Sequence, residues 1–203
     1  MKANKILASD DFKRCSEFHG HICPGMAIGY RAAQSGLAWL QKPRAIDEEL
    51  IAIVENNACG ADAVQVLTGC TFGKGNFIFK DYGKAVYTFL DRSTGKGVRV
   101  ALRPGAIAQT DEQRNLMDKI RKGTVTDEEK KRFEELHFQK ACEILVKQED
   151  ELFSIRKSDM ALPPKAEVEP SVLCEQCREP TMASRLMDHK GRKVCMECAR
   201  NNE

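Results

Sequence analysis

No run of 18 or more apolar residues occurs in the 203-residue sequence, and the opening MKANKILASDDF lacks the apolar stretch and small-residue cleavage site of a secretory signal. No membrane span is expected, and the reading is cytoplasmic. Net charge is equally scarce. Lys+Arg 32 against Asp+Glu 30 leaves +2, too weak a field to draw the chain to nucleic acid or to an anionic membrane surface. Histidines number only four. Cysteine is what the chain does have: nine, an odd and high count. In a reducing compartment, thiols at short spacing are more often metal ligands or reactive groups than disulfides.

Four of the nine form CEQC, from Cys174 to Cys177, and CMEC, from Cys195 to Cys198, with seventeen residues between the pairs. Each C-x-x-C turn offers two sulfurs to one ion while its backbone N–H groups steady them, and the gap suits a ribbon or finger. A segment of about 30 residues cannot bury enough apolar surface to fold without a staple. A structural zinc on Cys174, Cys177, Cys195 and Cys198 is therefore expected, against the alternative of two redox dithiols or two disulfides. Four thiolates leave no position for a substrate. TMASRLMDHKGRKV reads as a hairpin whose polar turn, Asp188-His189-Lys190-Gly191, keeps His189 exposed.

The rest of the chain reads as an α+β core. Pro24 and Gly25 open a buried helix to about Leu40. ELIAIVENNAC suits a strand covered on both faces, ending at Cys59, and GADAVQVLTG a short helix with Asp62 near its positive end and Gly69 beyond its last turn. CTFGKGN follows as a loop, read as a flexible turn. A phosphate-binding loop needs four residues between its glycines and Ser or Thr after Lys, and Gly69 to Gly73 has three, with Gly75 after Lys74. NFIFKDYG, KAVYTFLDRS and GVRVALRP read as a three-stranded antiparallel meander joined by two hairpins. Thr110 with Gln113 and Thr126 with Glu129 are capping boxes opening helices of roughly 12 and 30 residues. SDMALPPKAEVEPS is a Pro-rich linker. The expected domains are thus a core over 1–157, a linker over 158–171 and a zinc ribbon over 172–203. The long second helix carries more apolar length than a small sheet can cover, so a homodimer is expected.

One constellation remains. EFHGHICPG places His19, His21 and Cys23 within five positions. In an extended segment, residues two apart point to one side, so both imidazoles face the same space. Cys23, just ahead of Pro24, lies at a helix start where the dipole favours a thiolate. Two imidazoles and a thiolate suit zinc or another borderline metal with a coordination position left open. The alternative is a small buried thiol and histidines that satisfy backbone carbonyls near a turn. A second block, Cys59-Gly60 with Asp62, sits where a strand end opens into a helix, a usual place for ligand-binding groups. The expected second metal site, for an ion read as zinc, comprises His19, His21 or both, with Cys59. Cys23 and Asp62 stand beside it as substrate-facing or catalytic groups. Cys15 and Cys142 are read as core or spare thiols.

HGHICPGMAIGYRA, followed by NACGADAVQVLTGCTFGKGN and then the strand block, resembles the FmdE family of formylmethanofuran dehydrogenase components, some of whose members carry a terminal four-cysteine module. Position by position, the resemblance implies motif roles for His19, His21, Cys23, Cys59, Asp62 and Cys70. It also implies an α+β core, homodimerisation, and association with the catalytic components of a molybdenum or tungsten oxidoreductase of one-carbon metabolism. The expected function is that of a metal-binding accessory protein. Its rivals are a thiol-dependent or metal-dependent enzyme using Cys59 or Cys23, and a zinc-ribbon regulator of nucleic acid, which the balanced charge disfavours.

Overall fold

The computed structural model describes residues 3–201; Met1, Lys2, Asn202 and Glu203, which the expected domain ranges include, lie outside them. The chain divides into two compact units, one ending at Lys165 and the other beginning at Ala166. The first starts with helices α1 (Ala3–Leu7) and α2 (Asp10–His19). Ser9 caps α2, its hydroxyl accepting from the Phe12 N–H, and the helix buries Phe12 and Cys15. Gly20, at φ 88°, ends it in a left-handed turn that glycine adopts without steric cost. Pro24 then opens α3 (Pro24–Leu40). Small residues let α3 lie close to its neighbours. A Cβ on Gly29 would stand 2.1 Å from the Gly60 carbonyl oxygen, and one on Gly36 2.2 Å from the Phe89 ring.

The sheet of this unit has five strands, β1 (Leu50–Val54), β2 (Phe77–Phe79), β3 (Val86–Asp91), β4 (Gly97–Leu102) and β5 (Phe153–Lys157), in the order β2-β1-β3-β4-β5. Every pair is antiparallel except β1 with β2. The sheet is thus mainly antiparallel, with helices packed on it, as an α+β class requires. The expected meander needs correction: of its two hairpins only β3–β4 forms. β1, buried along its whole length, takes a central place, and both its edges pair. The loop after β2 crosses the end of β1, where the Lys80 and Lys84 amides donate to the Val54 and Glu55 carbonyls at 2.9 and 3.0 Å. Between β1 and β2 runs α4 (Gly60–Thr68), so the three make a β-α-β crossover. Leu50, Ala52 and Val54 join Tyr87, Phe89, Val98 and Val100 in the main core, while Ile51, Ile53 and Leu90 form a smaller cluster. β1 is therefore covered on both faces, as expected. It stops at Val54, however, so Cys59 lies in the loop to α4 and not at the strand end.

Both capping boxes are present, at Thr110–Gln113 opening α5 (Asp111–Lys122) and at Thr126–Glu129 opening α6 (Asp127–Val146). The expected helix of about 30 residues is cut short, because the Arg31 guanidinium of α3 collects the terminal carbonyls of Ile144, Leu145 and Lys147 at 3.0, 2.8 and 2.8 Å. A short α7 (Glu149–Leu152) follows before β5. The first part of the Pro-rich segment is fastened to this unit: the Ser158 N–H donates to the Gly97 carbonyl, and Arg92 donates to the carbonyls of Pro163 and Pro164 at 2.7 and 3.0 Å.

Asp91, at the end of β3, is almost fully buried. Burial raises its pKa, but the hydroxyls of Thr94 and Ser93, the Ser93 N–H and the Lys42 ammonium outweigh that and bring it down to about 2. A carboxyl whose folded pKa is depressed contributes stability above its unfolded pKa and loses it as pH falls through the folded value. Asp91→Asn is accordingly expected to cost about 2 kcal/mol at pH 7. Denaturant titrations should show the gap narrowing below pH 4 and nearly closed near pH 2. Equal stabilities at pH 7 would contradict it.

The second unit consists of two small hairpins, β6 (Ser171–Leu173) with β7 (Pro180–Met182) and β8 (Leu186–His189) with β9 (Arg192–Cys195), followed by α8 (Met196–Arg200). The turn between β8 and β9 is only Lys190-Gly191, both at positive φ as a two-residue hairpin demands. His189 is therefore the last paired residue of β8. It is half-buried, with Nε2 enclosed, and not the exposed turn residue expected.

Candidate metal centres

His19 ends α2, Gly20 turns the chain, and Cys23 caps α3 by accepting the Met26 N–H at 3.4 Å. The extended segment expected around Gly20 is thus a helix-to-helix turn, and the turn stacks the two imidazoles, whose centroids lie 4.5 Å apart. One ring nitrogen of His19, one of His21 and the Cys23 sulfur all lie within 4.8 Å of one another. The opposite side of His19 is tied down: its Nδ1 stands 2.7 Å from Oδ2 of Asp62, in the first turn of α4. A carboxylate only accepts, so Nδ1 carries a hydrogen, and in the neutral ring Nε2, 3.8 Å from the Cys23 sulfur, is then the lone-pair nitrogen. A carboxylate that orients an imidazole in this way is the usual support of a metal-bound histidine.

The grouping exchanges the two cysteines relative to the sequence reading. Cys23 is in the trio, whereas Cys59 lies beside it: a Cβ on Gly25 would meet Cys59 Sγ at 3.6 Å and Cys23 Sγ at 3.9 Å. Cys70 is buried past the far end of α4 and does not reach this place. Burial, aided by the neighbouring Cys59, pushes the Cys23 thiol up to about 11, against the N–H bonds from Met26 and Gly25. The helix start alone therefore does not make Cys23 a thiolate. Such a thiol is a poor nucleophile at neutral pH, but a cation within bonding distance can displace its proton. Cys15 is in the core, as expected, and Cys142 is half-buried.

Sequence reasoning passed over His137. It lies on α6, stacked on Phe133 at 4.4 Å, and burial together with the nearby His21 lowers its pKa. Three of the four histidines therefore gather in one region. Nothing in the spacing could signal this across more than 100 residues; the rarity of histidine was the one available hint.

In the second unit the sulfurs of Cys174, Cys177, Cys195 and Cys198 lie within 4.8 Å of one another, near the ~3.8 Å spacing of a tetrahedral site with Zn–S of about 2.3 Å. Backbone N–H groups turn inward on them, from Cys195 to Cys174 Sγ at 3.3 Å and from Cys198 to Cys195 Sγ at 3.5 Å. Burial raises the Cys174 pKa, but the N–H groups of Cys195, Cys177 and Gln176 outweigh it and bring the thiol down to about 6. Burial and the crowd of neighbouring sulfurs push Cys198 up to about 12. Four thiols this close cannot all ionise without a cation between them, so the donor set fits a metal ion.

A helix-covered sheet carrying an imidazole–thiol trio, with a separate four-thiol module, defines an α+β protein with two groups of side chains that could hold a metal ion. The chain belongs to the family described as "FmdE, Molybdenum formylmethanofuran dehydrogenase operon", which matches residues 18–154. That range takes in His19, His21, Cys23, Cys59 and Asp62 and stops short of the four-cysteine module. A crystal structure of a tungsten formylmethanofuran dehydrogenase FmdE-like protein from Syntrophus aciditrophicus is similar at TM-score 0.59 and 26% identity, over 97% of this chain and 91% of that one. A protein of Archaeoglobus fulgidus named "Probable S-adenosyl-L-methionine-binding protein" is 33% identical over 195 residues, 92% of this chain. The chain spans about half the length of that curated relative, 51%. No helix among the described residues is long and apolar enough to cross a membrane.

Proposed function

We propose that this chain is a cytoplasmic, homodimeric metal-binding accessory protein of the FmdE type, working in or beside a molybdenum or tungsten enzyme system of one-carbon metabolism. Cys174, Cys177, Cys195 and Cys198 hold a structural zinc. His19, His21 and Cys23 hold a second divalent ion, read as zinc, with Asp62 fixing the tautomer of His19 and Cys59 facing the open side. The observation that carries the reading is the paired geometry of His19, with Nδ1 on a carboxylate and Nε2 facing a thiol. A histidine that only filled space would have no use for that division of labour. The family description and the name of the Syntrophus aciditrophicus protein support the enzyme association.

The test is element-resolved metal content of protein purified without chelators or affinity metals. Wild type is expected to carry two equivalents per chain, and His19→Ala and Cys23→Ser one each, with the ribbon's metal kept. Cys59→Ser should keep both, and Asp62→Asn should keep both but bind the second roughly 10–100-fold more weakly. Unchanged stoichiometry in His19→Ala and Cys23→Ser would overturn the site, and loss of one equivalent in Cys59→Ser would move the thiolate ligand from Cys23 to Cys59.

A further inference from the structure

From the cavity beside the trio we infer a binding site for a neutral, planar heteroaromatic ring of purine size or smaller, its polar edge turned toward His19 and Cys59. The cavity measures about 510 Å³, inside the ~300–1,000 Å³ range of small-molecule sites. It opens beyond the carboxyl end of β1, at the start of α4 and beside β2, the place where β-α-β units take ligands. Its lining includes the aromatic rings of Phe72, Phe77 and Phe79 together with the polar His19, Cys59 and Asp62. Phe72 is 81% exposed and Phe79 42%, so the first of these rings in particular contributes little to the core, yet it stands where a flat ligand could stack.

The lining also limits the ligand's charge. No Lys or Arg is among the described residues that line it, and the charge of a divalent ion on His19, His21 and a Cys23 thiolate is offset by that thiolate and the Asp62 carboxylate, so the site as a whole is close to neutral and suits a neutral ligand. Lys74, in the loop after Phe72, donates to the carbonyls of Ile46 and Asp47. Asn56 is also committed, donating to the Lys84 carbonyl at 2.7 Å and accepting from the Ala58 N–H, which fixes the rim of the cavity. A ring with carbonyl or ring-nitrogen edges suits a lining that holds both stacking surfaces and polar groups. The inference rests on the metal-centre reading, because the polar edge faces that centre.

Adenine, nicotinamide and lumazine serve as probes, titrated by calorimetry and by ligand-observed NMR against the full chain whose metal content has been measured. Saturable binding by at least one is expected, weakened tenfold or more in Phe72→Ala at unchanged metal content, since stacking on one aromatic side chain is worth roughly 1–3 kcal/mol. Tyr82→Ala, exposed but outside the cavity, should bind like wild type. Absence of saturable binding by all three rings overturns the inference, as does equal affinity in Phe72→Ala. Conversion of a dimer to a monomer by Phe72→Ala, with no ring binding in either, overturns it too and assigns the aromatic wall to a second copy. Metal content of the same samples keeps the outcomes apart: a protein that binds rings but carries only the ribbon's metal sinks the metal-centre reading and leaves the cavity.

Discussion

Gly29→Ala is expected to lower stability by about 3 kcal/mol or more, a drop of roughly 10 °C in Tm for a unit of this size. The added Cβ would stand 2.1 Å from the Gly60 carbonyl oxygen and 2.4 Å from its Cα, where carbon–oxygen contacts normally begin more than an ångström farther out. Neither atom can step aside, because both are backbone at the first residue of α4. The two helices would have to separate, and α4 carries Asp62 and adjoins Cys59, so the 2.7 Å bond to His19 would lengthen with them. Metal affinity at the trio should fall along with stability. Gly73→Ala is the control: nothing lies within 4 Å of its Cβ position, so a change within about 0.5 kcal/mol is expected. Thermal and denaturant unfolding of both variants decide the matter, and equal stabilities would contradict the close crossing of α3 and α4.

That crossing also marks the limit of what could be read beforehand. Features fixed by a few neighbouring residues were legible: the capping boxes at Thr110 and Thr126, Pro24 at a helix start, Gly69 past a helix end, and the four-cysteine spacing. Each depends on groups no more than a few positions apart, or on a gap that a metal ion fixes. What failed depends on groups far apart in sequence. Arg31 ends α6 from more than 100 residues away, β2 pairs parallel with β1 because α4 intervenes, and Arg92 holds Pro163 and Pro164 to the first unit.

The candidate site divides along the same line. Its residues were legible as types in short motifs, but their assignment was not. Whether Cys23 or Cys59 joins the imidazoles turns on Gly20, whose positive φ folds His21 and Cys23 back toward His19. The extended reading of HGH had no way to anticipate that turn. Asp62 was singled out for its place at a helix start, whereas its use is the contact with His19 that only the packing of α2 on α4 creates.

Cys174→Ser is expected to unfold the second unit while leaving the first intact. Among the described residues the core of that unit is small: Val194, Ala199 and the buried cysteines, with Leu186 against them. Such a cluster contributes only a few kcal/mol, well short of the entropy lost on ordering more than 30 residues. The proposed zinc supplies the largest single contribution against that loss, since structural zinc in finger peptides binds with on the order of 10 kcal/mol or more. A serine hydroxyl is a far weaker ligand than a thiolate, and Cys174 is also the sulfur on which the Cys195 N–H rests, so its loss opens the ion and the backbone together. Expected are one metal equivalent fewer, rapid proteolysis beyond Lys165, and NMR signals of the second unit collapsed to random-coil shifts. The melting transition of the first unit and the metal of the His19 trio should be unchanged, and a chelator strong enough to strip the ribbon should reproduce the effect in wild type. Retention of metal in Cys174→Ser would remove it from the ligand set, and joint collapse of both units would refute their independent folding.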